Sequence, residues 1–396
     1  MIMFRSVLVL TCVTAFAMTP AHARQDDDAS PAEEPLVFPG ELILLPADVQ
    51  DAAQAEAQQA RVPEGGGGDV VPSDANPVED AYTRAQLAHA AGDWETARIY
   101  AETAGSAGHD DAAVMAGLLA LDGWTDAAEP EAQAVRWFQR AAEDQHPLAL
   151  YHLGLIARDS DTDHGLGSAR SWFRQSAEAG HVGGMIAYAD VLESSGVPQD
   201  IAQSRIWTER AAQLGSQEAM YQLARLHDLG RGGEQDLVSA RHWYEQAGGL
   251  GHPESAFEAG MMWALGQGGE SDDVNARRWL RLSAETGYAP AQGQLGLMLY
   301  QGRGGPENID EAVHWVRLGS LAGDPEAQFI YAYALARGDT GERDIEAAYG
   351  WVLRAATDAE GLPLENPVRD RFQAALEGDL PLATQIQIQE AVAAER

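Results

Sequence analysis

One cysteine, Cys12, stands in 396 residues. Apart from it, no residue can form a disulfide, act as a thiolate nucleophile or give a thiolate to a metal. Basic residues are also scarce. Lys and Arg together number 26 against 61 Asp and Glu, a formal net charge of −35. A surface this acidic repels phosphate backbones and anionic headgroups, which argues against nucleic-acid binding and against direct docking on anionic membranes. It serves solubility, or it fits a specific basic partner. The mostly apolar run Ser6–Met18 is shorter than the about 20 residues a membrane helix needs. Catalytic motifs are missing too: there is no His-Glu-x-x-His, no Gly-x-Ser-x-Gly and no Cys/His arrangement. The sequence therefore predicts no catalytic residue, no cofactor, no metal and no small-molecule substrate.

The N-terminus reads as a secretory signal. A lone positive charge, Arg5, precedes the apolar run, and Ala21-His22-Ala23 supplies a small-x-small cleavage site. Cleavage after Ala23 would remove Cys12 and leave an exported, cysteine-free chain, and a bacterial periplasm suits such a chain. Residues 24–78 hold Asp26-Asp27-Asp28, scattered prolines and Gly65 to Gly68. That composition predicts a flexible acidic tether. Within it, an apolar island at 36–45 is a candidate docking segment.

Seven tryptophans then recur at a near-constant step: Trp137, Trp172, Trp207, Trp243, Trp279, Trp315 and Trp351. The steps are 35 or 36 residues, the signature of a repeat array. Small residues stand three before each tryptophan (Ala134, Ala169, Ser204, Ala240, Ala276, Ala312, Ala348) and four after it (Ala141, Ser176, Ala211, Ala247, Ser283, Gly319, Ala355). These positions share one helical face with the indole, so a neighbouring helix can approach closely. Gly180, Gly215, Gly251, Gly287 and Gly323 stand at +8, where a left-handed residue ends a helix. The tryptophan helix is the second of each unit; the first helix shows its own column at +17, always Gly or Ala: Gly154, Ala189, Ala224, Gly260, Gly296 and Ala332. Tyr100 continues the tryptophan column upstream, flanked by Ala97, Ala104 and Gly108.

These columns predict an all-α fold: a right-handed α-solenoid of about eight helix-turn-helix repeats over 79–360. Capping helices follow over 361–396, with Ile386, Ile388 and Val392 covering the last core face. The tryptophans should be wedges between helices, which puts the loss from Trp279→Ala at about 3–5 kcal/mol.

Two patterns imitate chemistry. The turns Gly230-Arg231-Gly232-Gly233, Gly266-Gln267-Gly268-Gly269 and Gly302-Arg303-Gly304-Gly305 superficially resemble phosphate loops. They lack the P-loop lysine, follow a helix rather than a strand, and are read as turns. His109, His146, His181 and His252 each fall just after a second helix. Repeat spacing would hold them roughly 10 Å apart, too far to share one metal, so they are read as turn-packing residues.

The stretches Gln294-Leu295-Gly296-Leu297-Met298-Leu299-Tyr300-Gln301-Gly302-Arg303-Gly304 and Ala240-Arg241-His242-Trp243-Tyr244-Glu245-Gln246-Ala247 resemble the two halves of the Sel-one-like repeat. That family is related to the tetratricopeptide repeat. The resemblance implies a non-enzymatic scaffold or adaptor. Some bacterial members are periplasmic and restrain sensor kinases or organise exopolysaccharide machinery. The resemblance also implies a concave face lined by the first helix of each pair. On that face the candidate partner-binding residues are His152, Gln222, Arg225, Glu258, Met261, Gln294, Tyr333 and Arg337, read as a charge-poor stripe with apolar anchors. The expected partner is another protein of the cell envelope. A glycan or peptidoglycan ligand is the alternative, and it would need exposed aromatic rings.

Overall fold

The computed structural model describes residues 77–159, 168–358 and 361–395. The expected signal peptide, nearly all of the tether and the apolar island lie outside them. Eighteen helices follow one another among the described residues, with no strand. The first helices of the pairs are α1 (Pro77–Ala90), α3 (Asp110–Leu121), α5 (Pro147–Asp159), α7 (Val182–Ser194), α9 (Gln217–Leu229), α11 (Pro253–Leu265), α13 (Ala289–Gln301) and α15 (Pro325–Arg337). The second helices are α2 (Trp94–Ser106), α4 (Pro130–Glu143), α6 (Ala169–Glu178), α8 (Pro198–Gln213), α10 (Leu237–Gly249), α12 (Asp273–Glu285), α14 (Ile309–Leu321) and α16 (Ile345–Arg354). Two more, α17 (Pro367–Asp379) and α18 (Leu382–Ala394), close the array. From α1 to α16 each helix packs on its neighbours in sequence, the one-dimensional order of a solenoid.

The expected columns do their packing work, with one correction. Ala134, Ala240, Ala276, Ala312 and Ala348 are wholly buried, as are Ala141, Ala211 and Ala247. The tryptophans are only half-buried. Trp137 and Trp243 each pack against two successive core clusters, so they bridge repeats as wedges. The fully buried side chain is the next one along: Phe138, Phe173, Thr208, Tyr244, Leu280, Val316 and Val352. This column explains the small residues at +17. A Cβ on Gly117 would meet Phe138 at 2.6 Å, one on Gly154 would meet Phe173 at 2.5 Å, and one on Gly260 would meet Leu280 at 2.8 Å.

Helix ends follow local chemistry. The +8 glycines carry φ near +90°, and Gln145, at the same position, is the one non-glycine with positive φ among the described residues. The next residue caps a first helix. His109, His181 and His252 each accept through Nδ1 from the amide three residues on, at 3.3, 3.0 and 3.2 Å. His146 does the same at 3.4 Å. With Nδ1 accepting, the proton sits on Nε2, which faces the preceding repeat: His146 meets Asp111 at 2.9 Å and His109 meets Glu79 at 3.3 Å. These histidines act as helix caps, each satisfying one of the amides left open at a first-helix N-terminus.

The glycine turns have a steric explanation. Gly230, Gly266 and Gly302 end first helices in the left-handed region. Gly232, Gly268 and Gly304 lie directly on a backbone carbonyl of the preceding second helix. A Cβ on the fourth residue would strike a guanidinium: Gly233 meets Arg205 at 2.5 Å, Gly269 meets Arg241 at 2.5 Å and Gly305 meets Arg277 at 2.7 Å. Arg205 and Arg277 donate to the turn carbonyls of Glu234 and Pro306. Each turn is therefore docked on the repeat before it.

The C-terminal cap is a polar seal as much as an apolar one. Buried Arg369 donates to the carbonyls of Ala355 and Leu364 at 2.9 and 2.6 Å. Buried Tyr349 donates to Glu377 and accepts from Gln389. Val392 is buried against this end and Ile388 lies beside Gly350, but Ile386 stays 46% exposed, so two of the three expected apolar residues cover the core.

Candidate functional site

First helices carry an acid or a neutral residue at +11 and a second residue one turn later, at +15. The +11 acids Glu218, Glu254 and Glu326 were not part of the face read from the sequence. Their i,i+4 spacing to Gln222, Glu258 and Ile330 was the available signal. With Glu218 and Glu254 included, the part of the face on α9 and α11 is acidic rather than charge-poor.

The candidate residues separate into three groups. Gln222, Arg225 and Glu258 lie open or half-open on adjacent helices α9 and α11. Gln222 donates to Glu218 at 3.0 Å, and the Arg225 guanidinium lies 5.7 Å from the Tyr221 ring. His152, Met261 and Gln294 belong to the packing instead. His152 stacks on Phe138 at 5.0 Å, and burial holds its imidazole below the usual histidine range. Met261 is 5% exposed and Gln294 7%. The third group, Tyr333 and Arg337, is engaged by the chain itself. Phe372 of the cap reaches within 5.9 Å of the Tyr333 ring, and Arg337 covers that ring and pairs with Asp339.

Gln294 is buried for a specific reason. Along this face an aromatic at +14 usually packs against the next cap residue: Tyr151 on His181, Tyr221 on His252 and Phe257 on Tyr288. At the next step the aromatic is replaced by Gly293, whose Cβ would stand 2.9 Å from the Asp324 carboxylate. Without a ring as spacer, α15 closes directly onto α13. Every residue from 291 to 300 is then buried, and Gln294 donates to Glu326 at 2.7 Å.

This closure strands two acids. Burial, with the charge of Asp324 beside it, pushes the Glu326 carboxyl up to about 8. Burial also pushes Asp324 up to about 6, against the pull of its cap amides. A carboxyl raised on folding leaves stability intact below its unfolded value, near 4.5, and withdraws it as pH rises toward 8. Glu326→Gln keeps an acceptor for Gln294 and removes the ionisation. The variant should melt with wild type near pH 4 and several degrees above it at pH 8. Equal melts at pH 8 would contradict this account of the closure.

Toward the N-terminus the face stays open. A small recess of about 80 Å³ lies between α7 and α9, lined by Asp190, Glu193, Gln222, Arg225, Leu226, Leu229 and Arg231. Burial, together with Glu193 and Glu218, holds the Asp190 carboxyl above its usual range. Tyr288 is pushed up to about 12 by burial and by the charges of Glu254, Glu258 and Asp324, so these groups share one field across α11, α13 and α15. Among the described residues no group of three or more His, Cys, Asp or Glu could hold a metal ion. No helix among them is long and apolar enough to cross a membrane.

Comparison with known proteins agrees with this architecture. The Sel1 repeat model matches seven times, at 111–146, 147–181, 184–216, 217–252, 253–288, 289–324 and 325–358. The chain belongs to the Sel1 repeat family, whose members in general act as protein-interaction scaffolds. It is similar to the crystal structure of a protective antigen with an SLR fold from uropathogenic Escherichia coli. The identity is 25% and the TM-score 0.65, covering 75% of this chain and 64% of that one. The chain thus spans 64% of that protein's length. A Sel1 repeat protein from Oxalobacter formigenes shares the fold at 23% identity and TM-score 0.57, over 88% of this chain and 98% of that one. A search of the curated proteins finds no match.

Proposed function

We propose that this chain is an exported, periplasmic scaffold that binds another protein through the open part of its first-helix face. The observation that carries the reading is the contiguous open surface of Gln222, Arg225 and Glu258 on α9 and α11, beside the recess at Leu229. Second helices are committed to the wedge and +1 columns, and the C-terminal end of the face is filled by Phe372. A role in assembling or restraining an envelope complex is the specific form of this reading. The signal-like N-terminus supports the periplasmic location. Carbodiimide crosslinking in the native host tests the reading, because none of the 26 basic residues is a lysine. Aside from the chain's own α-amine, every amide formed on one of its carboxylates must reach another molecule. A discrete partner joined at Glu218, Glu254 or Glu258 is expected, and joining confined to second-helix acids would overturn the assignment.

Glycan binding has one feature in its favour. Trp124 is 42% exposed and stacks on Trp94 at 6.1 Å. A sugar chain needs a row of such rings. Trp124 is the one aromatic among the large exposed hydrophobics of the described residues.

A further inference from the structure

A helix almost without charge belongs in an interior, whereas a surface helix shows a charged face. Two helices of this array carry fewer than two charged residues: α13 has none, and α18 has one, Glu390. α13 meets the expectation, with residues 291–300 all buried. α18 does not. Val392 is its one buried residue, Leu382 is 70% exposed, and Ile386, expected to cover the core, faces out. The inner side of α18 is accounted for by Val392, by Gln385 donating to the carbonyls of Glu377 and Leu380, and by Gln389 donating to the Tyr349 hydroxyl. The outer side shows Leu382, Ile386 and Ala393, which fall on one line at about 3.6 residues per turn. With Gln389 between them the steps are four, three and four residues, the spacing of a two-helix seam.

A chain of net charge −35 repels a second copy over most of its surface. The outer side of α18 is where that repulsion is weak, and its pattern complements itself. Turned antiparallel about a two-fold axis between Gln387 and Ile388, Leu382 of one copy faces Ala393 of the other, and Ile386 faces Gln389. Glu390 then faces Gln385 rather than another acid. A parallel pair would set Leu382 on Leu382 and Ala393 on Ala393, leave a gap at one end and bring the two Glu390 side by side. We propose that α18 is the seam of an isologous dimer, in which two copies of this chain pair their α18 helices antiparallel across Leu382, Ile386, Gln389 and Ala393. The paired helices are about 20 Å long, short for a permanent interface, so the dimer is reversible with a Kd of about 1–100 µM. It uses no residue of the α9 and α11 surface and stands apart from the partner-binding reading. Its consequence for that reading is that a dimer presents the surface twice.

Sedimentation equilibrium of the full chain over about 1–200 µM should pass from the mass of one chain to that of two. Leu382→Glu combined with Ile386→Glu should raise the dissociation constant about tenfold or more, because the seam would then enclose carboxylates. Ala393→Glu, at the other end of the seam, should do the same. At dilute protein both variants should keep the helical circular dichroism and the melt of the parent, since all three side chains are exposed in the single chain. Added salt should tighten the dimer by screening the repulsion between two acidic molecules. Disulfide trapping in a Cys12→Ser chain reads the register: Leu382→Cys mixed with Ala393→Cys should give a linked dimer, and neither alone should. A chain that stays monomeric at the highest concentration would overturn the proposal. So would association that both glutamate variants leave unchanged, association that salt weakens, or linkage in Leu382→Cys alone.

Discussion

Phe173→Ala is expected to destabilise the protein by about 3–5 kcal/mol, the range for truncating a fully buried aromatic. Phe173 is 0% exposed and lies against Gly154 and Tyr151 of the preceding first helix. Gly154 brings no side chain of its own to fill the space that the ring vacates. Because each repeat is held only by its neighbours, the loss falls on the coupling between α5 and α7 through α6. Trp172→Ala should shift the melt less, since the indole is only half-buried. The same reasoning lowers the loss expected for Trp279→Ala below the 3–5 kcal/mol suggested by a buried wedge. Thermal melts followed by circular dichroism read both, and a Phe173→Ala melt shifted less than that of Trp172→Ala would contradict the packing described.

Gly304→Ala is the second large effect. Gly304 has φ +71°, and a Cβ there would overlap the carbonyl oxygen of Asp273, a backbone atom that cannot rotate away. The left-handed backbone costs about 1–2 kcal/mol for an L residue, and forced overpacking adds about 1–3 kcal/mol. The expected loss is therefore about 2–5 kcal/mol. Gly323→Ala is the matched control: its φ is +91°, but nothing lies within 4 Å of an added Cβ. It should lose only the conformational part, about 1–2 kcal/mol. Equal denaturation midpoints for the two variants would show that the turn is not docked on α12.

The fold was legible because repetition exposes it. A Trp column with small flanks at −3 and +4 fixes a helix face, and the glycines at +8 fix its end. The +1 column was not read, because Phe138, Thr208, Leu280 and Val316 share burial but no residue type. The face was half legible. Periodicity placed Arg225 and Glu258 on one side, but it could not show that Gly293, lacking a ring, lets α15 close on α13 and bury Gln294. Nor could it show Phe372 reaching back over Tyr333 from the cap, a contact across 39 positions of sequence. The first depends on what a missing side chain leaves empty and the second on a helix outside the repeat, and a period records neither.

The most direct test of the central claim is the identity of the carboxylates that join a partner when the chain is crosslinked by carbodiimide in its native host. The account predicts amides at Glu218, Glu254 or Glu258, to lysines of one recurring protein. Amides confined to second-helix acids such as Glu178, Glu209 and Glu285, with none on α9 or α11, would contradict it.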